Sequence, residues 1–209
     1  MKTKTLYKYL RTGLESESGA KRKWTLGEWR EESKIEICKR GFHASKTPLQ
    51  ALSYVKGEIL AEVEVRGDSI VQDDKECWSE MRVTKAWNWT KLDSVALAIF
   101  AAELVIGIFE KKYPEDKRPR KAIEAAKKYL ENPTQVNAAA AHAAAYAAYD
   151  ATYAAYDAYD ATYAAYAAAH AAHAAYDAAH AAHAAHAALT KKINAWFKNR
   201  IKTLTPYEL

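Results

Sequence analysis

Two short stretches carry side chains whose types could do chemistry. Arg40-Gly41-Phe42-His43-Ala44-Ser45 sets a guanidinium, an imidazole and a hydroxyl within six residues. Glu76-Cys77-Trp78-Ser79-Glu80-Met81-Arg82 places two carboxylates beside an indole. These types serve in proton transfer and in stacking. Each also has a plainer reading. A single histidine after Phe42 suits a locally hydrogen-bonded turn, and Glu80 suits a surface ion pair with Arg82 or Lys85. Trp24, Trp29, Trp78, Trp87 and Trp89 fall within the first ninety residues. They fit a core or its rim, and equally a face that stacks on a planar ligand or anchors a protein. The pairs His170/His173, His180/His183 and His183/His186 lie three apart, within reach of one ion on a helix. Asp177 is the only carboxylate among them and no cysteine is near, so no metal is expected. No GxxxxGK[ST] or GxGxxG phosphate loop occurs.

Composition bounds what such residues can belong to. A chain of 209 residues, half apolar and about a quarter charged, has enough material for a core and excludes wholesale disorder. Two cysteines, Cys38 and Cys77, exclude a disulfide-stapled scaffold and a cysteine-rich zinc module. The net charge of +5 divides into +3 for residues 1–90, +2 for 91–137, −4 for 138–188 and +4 for 189–209. Only the last segment concentrates it, with Trp196-Phe197-Lys198-Asn199-Arg200-Ile201-Lys202 mixing rings and cations on one helix. Such a helix more often docks its rings and solvates its cations than binds nucleic acid, which is not an expected partner. The N-terminus lacks the apolar region of a signal peptide, and the run Val95–Phe109 carries Glu103 and is short for a bilayer. A soluble cytoplasmic protein with no membrane contact is expected.

The pattern that must position these residues changes along the chain. Residues 1–90 read as an α+β recognition domain. Leu6, Tyr7 and Tyr9 suggest a first strand, and Ile35-Glu36-Ile37-Cys38 another. Ile59–Val65 alternates as a half-buried strand closed by Arg66-Gly67-Asp68. Thr47 caps a short helix with Pro48 at its first position, and Gly57 is expected to end it. Residues 91–137 read as a helical pair. One helix opens at Asp93 or Ser94 and ends before Tyr113-Pro114. The other opens at Asp116, carries Ile123, Ala126, Lys127 and Leu130 as its stripe, and ends at Asn132-Pro133.

Residues 138–188 consist of 31 Ala, 8 Tyr, 6 His, 4 Asp and 2 Thr, in a ten-residue repeat. Alanine without Gly or Pro makes helix nearly obligatory, and a continuous rod would run about 77 Å. The Tyr and His rings recur on average every 3.4 residues, against about 3.6 per turn, so their stripe drifts round the helix. A break that folds the tract on itself, or a left-handed supercoil with another copy, would keep the rings packed against alanines. An all-α, alanine-rich, self-associating body is the expectation, followed by the basic helix of 189–209.

Three resemblances attach to these motifs. The order of the Ser45 motif, the helix ending in Tyr54, the alternating strand and the Glu80 segment resembles the ADP-ribosyltransferase fold over roughly residues 5–85. That resemblance implies Ser45 as the serine supporting NAD and Glu80 as the catalytic glutamate orienting the ribose. Lys8 stands where the family has a first-strand Arg or His. It would make His43, Tyr54 and Trp78 neighbours of an NAD-type nucleotide, although Lys cannot reproduce the bidentate grip of Arg. Cys38 to Ser45, with Asp73-Asp74-Lys75 and Trp78, is similar to an uncharacterised domain common in phage and prophage genomes. Asp116-Lys117-Arg118-Pro119-Arg120-Lys121-Ala122-Ile123-Glu124-Ala125-Ala126 and the Ala/His-rich helix after it are similar to an immunity-protein family encoded beside polymorphic toxins, over about residues 95–190.

The sequence therefore reads as a phage-type accessory protein that works by binding a host-defence or toxin component, with copies of itself as further partners. Two alternatives stand beside this: an ADP-ribosyltransferase-like enzyme or nucleotide binder, and a toxin-neutralising immunity protein. No resident cofactor is expected under the first reading.

Overall fold

Strand-forming residues alternate along the first ninety positions, and they pair into one antiparallel sheet. The computed structural model describes residues 3–16, 22–55, 57–141, 143 and 173–208. It comprises two units, Met1–Thr90 with Lys192–Leu209, and Lys91–Lys191. In the first unit β1 (Lys4–Leu10), β2 (Arg30–Glu31), β3 (Phe42–Ala44), β4 (Ile59–Val71) and β5 (Glu76–Asn88) form the sheet, with the short helix α1 (Pro48–Leu52) between β3 and β4. The strand order is β1-β4-β5-β2, and β3 pairs with β5.

Register decides which side chains share a face. Leu6 opposes Val63, Leu10 opposes Ile59, and Val65 opposes Met81. Because side chains alternate with period two, these residues bury together, with Trp24, Phe42 and Val83 packed on them. The opposite face carries a cross-strand ladder of ion pairs: Glu62–Lys85, Glu64–Arg82 and Arg66–Glu80. The Arg66 and Arg82 guanidinium groups lie 4.1 and 4.8 Å from the Trp29 ring centre, so one indole takes two cations.

Local signals hold for several elements. Thr47 accepts the Gln50 N–H at α1 as a capping threonine should. Three expectations are corrected. Ile35–Cys38 is not a strand: reciprocal backbone bonds between Glu36 and Arg40 close a tight loop there, and Cys38 takes φ 65°. Four alternating residues cannot hold a strand when the chain reverses within them, between Glu36 and Arg40, and β3 begins only at Phe42. Gly57 does not end α1, which stops at Leu52. Its backbone instead passes so close to Leu10 that a Cβ would sit 2.3 Å from the Leu10 carbonyl oxygen. The strand from Ile59 does not close at Arg66–Asp68 either. Its register shifts between Arg66 and Ser69 as a bulge, and pairing resumes through Val71.

Glu76 is fully buried on β5. Lys4 Nζ lies 2.6 and 2.8 Å from its two oxygens, and the Trp78 indole N–H donates to it at 3.0 Å. Replacing Lys4 with Met strands that carboxylate, and is expected to cost about 2–3 kcal/mol in urea unfolding. The double variant Lys4→Met/Glu76→Gln should recover part of the loss. An unchanged midpoint in the single variant would show that Lys4 does not hold the charge.

The last residues close the first unit. Asn88 N–H donates to Thr205 O, Tyr207 N–H to Ala86 O, and the Tyr207 hydroxyl accepts the Gly13 N–H. Phe197 stacks on Trp89 with ring centres 5.4 Å apart, and Trp89 in turn meets Tyr9 edge-on at 5.7 Å. The rings of the basic terminal helix are thus docked, and Lys198 is exposed.

In the second unit α2 (Lys91–Lys112) packs on α3 (Arg118–Glu131) through Ile99, Ile106 and Ile123. Glu110 receives two hydrogen bonds from Arg120, and Lys127 pairs with Glu103. Asp116 accepts the Arg118 N–H at the start of α3. By length and composition alone α2 is long and apolar enough to cross a membrane. The sequence expectation that the run is too short counted only Val95–Phe109. Ile108 of α2 is 74% exposed. Residues 135–141 are helical, and α4 (His173–Ile201) follows later in the chain. The ring ladder between residues 144 and 172, with its expected break and self-association, lies outside the described residues.

Candidate functional site

Strand alternation puts Lys8 on the core-facing side of β1, between Leu6 and Leu10, where an apolar residue would ordinarily stand. Its ammonium borders a cavity of about 690 Å³ enclosed by β1, β3, α1, the loop before Gly41, and Lys75. Tyr7 and Ser45 exchange two backbone hydrogen bonds, 2.8 and 2.9 Å, which tie β1 to the end of β3. That junction brings Lys8 Nζ to 3.0 Å from the His43 carbonyl oxygen, to which it donates. Burial pulls the Lys8 pKa down to about 8, the neighbouring Cys77 opposing slightly.

His43 is fixed by the loop it follows. The Cys38 N–H donates to His43 Nε2 at 2.9 Å, so the proton of the neutral ring is on Nδ1. Burial, and then the charges of Lys8 and Lys75, hold its pKa below the usual histidine value, against a backbone hydrogen bond to Gly41. The imidazole is neutral at pH 7. The local hydrogen bond expected of a single histidine is present, but His43 makes it from β3 and not from a turn.

The loop geometry is imposed by Gly41, with φ +105°. A Cβ there would approach the Cys77 sulfur to 2.6 Å. Cys77 donates to the Arg40 carbonyl oxygen, and burial pushes its thiol up. Cys38, exposed, receives a hydrogen bond from Lys75 Nζ at 3.0 Å. The same ammonium lies 4.7 Å from the centre of the Tyr54 ring. The Tyr54 hydroxyl donates to the Asp74 carboxylate, which raises its pKa.

Charge in this cavity is one-sided. Among the described residues its wall holds Lys8, Arg22, Lys39, Arg40 and Lys75, against Glu32 alone. Arg22 donates to Glu32 at 2.9 Å and holds that carboxyl below the usual range. No hydrogen bond or ion pair holds the Arg40 guanidinium among the described residues. Trp24, Phe42, Ala44 and Ala51 supply an apolar floor. Such a wall favours anions, and the floor favours an apolar or planar group.

Lys8, His43, Ser45 and Tyr54 all line this one cavity. Glu80 and Trp78 do not. Counted along β5 from the residue beside Ser45, Glu80 stands about 16 Å away at ~3.3 Å per residue. It is paired with Arg66 at 2.5 Å, neither with Arg82 nor with Lys85. Trp78 spends its indole N–H on Glu76. Sequence reasoning passed over Cys38 as a neighbour of His43, and Arg22 and Trp24 as wall residues. Asp73-Asp74-Lys75 was visible as a motif, but nothing in its spacing placed Lys75 over Tyr54. Among the described residues no group of three His, Cys, Asp or Glu is gathered closely enough to hold a metal ion.

Comparison with known families divides the chain in two. A domain of unknown function, DUF7666, matches residues 4–95. The family described as Imm-5 like putative immunity protein matches residues 88–200. No curated protein and no solved structure matches the chain. Trp89 and Phe197, which lie just inside the two limits of the second match, stack on each other in the first unit.

Proposed function

Because the chain belongs to the Imm-5 like putative immunity protein family, we propose that it neutralises a protein toxin by binding it. The family match over residues 88–200, more than half the chain, carries this reading. Immunity by binding asks for a surface complementary to one partner and for no chemistry of its own. The exposed apolar side chains Val105, Ile108 and Val136 suit a contact with protein better than a purely solvated face does. Inhibition of a host-defence component, the finer reading of the sequence, is the same kind of act on a different partner. The toxin is preferred because the immunity family covers the larger part of the chain.

The test is co-expression in bacteria with the toxin domain encoded beside its gene. Survival should return to that of cells without toxin, and the two purified proteins should co-elute as one species in gel filtration. Killing at an undiminished rate, with separate elution, would overturn the proposal.

A further inference from the structure

We infer that the cavity of the first unit binds a small anionic ligand of the nucleoside-phosphate class, a site independent of toxin binding. Size comes first. About 690 Å³ lies within the range of small-molecule sites and far exceeds what a bare inorganic anion fills. The chemistry of the wall is divided in the way such a ligand is divided. Lys8, Arg40 and Lys75 present cations for a phosphate, and among the described residues the wall holds a single carboxylate, already neutralised by Arg22. Trp24 and Phe42, packed edge-on at 66°, give an apolar floor, and the Tyr54 ring stands at the rim with 47% of its surface exposed.

Lys8 makes the argument specific. A cation on the core side of a strand costs folding energy, and an apolar residue there would serve stability better. Its neighbours two positions away on either side, Leu6 and Leu10, are wholly buried. One carbonyl oxygen, that of His43, takes one of its three N–H donors. A phosphate oxygen in the cavity would take another and compensate the half-buried charge. The loop that forms one wall is set before any ligand arrives, by Gly41 in a left-handed conformation and by the Cys38–His43 hydrogen bond. Little ordering entropy is then left for binding to overcome.

The experiment is calorimetric titration of the full chain with nucleoside 5′-monophosphates and diphosphates of the four bases, with the nucleosides and inorganic phosphate as separate arms. At least one nucleoside phosphate should bind with Kd below about 1 mM. The matching nucleoside and inorganic phosphate should each bind at least about tenfold more weakly. Lys8→Met should lose about tenfold or more in affinity while its unliganded melting temperature does not fall. Lys198→Met, an equal charge change on an exposed helical position, should bind like the parent. If Lys8→Met does not fold, Arg40→Ala, which disturbs no ion pair among the described residues, should show the same weakening. The inference is overturned by no binding from any nucleotide, by inorganic phosphate alone binding as well as the nucleotides, or by cavity variants that retain full affinity.

Discussion

Phe197→Ala is expected to lower the stability of the first unit by about 4 kcal/mol, the range seen when a fully buried phenylalanine becomes a cavity. Phe197 is 0% exposed. It stacks on Trp89 at an interplanar angle of 21°, and Trp196 meets it edge-on at 5.4 Å. Trp89 carries the contact on to Tyr9 of β1. The substitution therefore removes the buried ring of an aromatic cluster joining the terminal helix to the sheet, and leaves the edge contact of Trp196 with Trp89 and the hydrogen bonds of Thr205 and Tyr207 to hold that segment. In a chain of this size the loss corresponds to roughly a 10 °C drop in melting temperature. Urea unfolding followed by tryptophan fluorescence reads it directly, since Trp89 and Trp196 report from the site itself. A loss under about 1 kcal/mol would mean the terminal helix is not docked as described.

Lys8→Met is expected to act in the opposite direction. The ammonium has a pKa of about 8 in the fold, against 10.5 for the ordinary lysine. Below pH 8 it is charged both folded and unfolded, so folding bears the whole cost of burying the charge. Between pH 8 and 10.5 the folded chain gives up a proton that the unfolded chain keeps, and Lys8 makes stability rise with pH. The interval corresponds to a burden of about 3 kcal/mol at pH 7. The methionine variant, free of it, should be about 2–3 kcal/mol more stable at pH 7, and its advantage should shrink as pH passes from 8 towards 10.5. Parallel urea series at pH 6, 7, 8, 9 and 10 measure the difference, in which titrations common to both proteins cancel. Two curves that stay parallel through this window would show that Lys8 is not desolvated in the fold.

These two effects depend on contacts with no local signature. Alternation of Leu6, Lys8 and Leu10 puts Lys8 on the same side as two core residues, and that much is visible in the sequence. Nothing there says that His43, thirty-five positions later, offers its carbonyl oxygen to the same ammonium. Glu80 is the converse case. Both neighbours proposed for it lie within five residues, yet its ion pair reaches Arg66 across the β4–β5 register.

Periodicity and capping were enough to locate β1, the start of α1, the first half of β4 and the α2–α3 pair. Each arises from interactions within about one turn of helix or from side-chain alternation along a strand, so the information is local. The immunity-family region was likewise visible in Arg118-Pro119-Arg120 and the alanines after it. The loop at Glu36–Arg40, the close passage of Gly57 against Leu10, and the gathering of Lys8, His43, Ser45 and Tyr54 round one cavity were decided by folding in three dimensions. So was the return of Lys192–Leu209 to the first unit, where the Tyr207 hydroxyl meets Gly13 from 194 positions away. Such contacts depend on the register in which strands pair and on the free energy of closing long loops. Neither quantity belongs to any short stretch of residues.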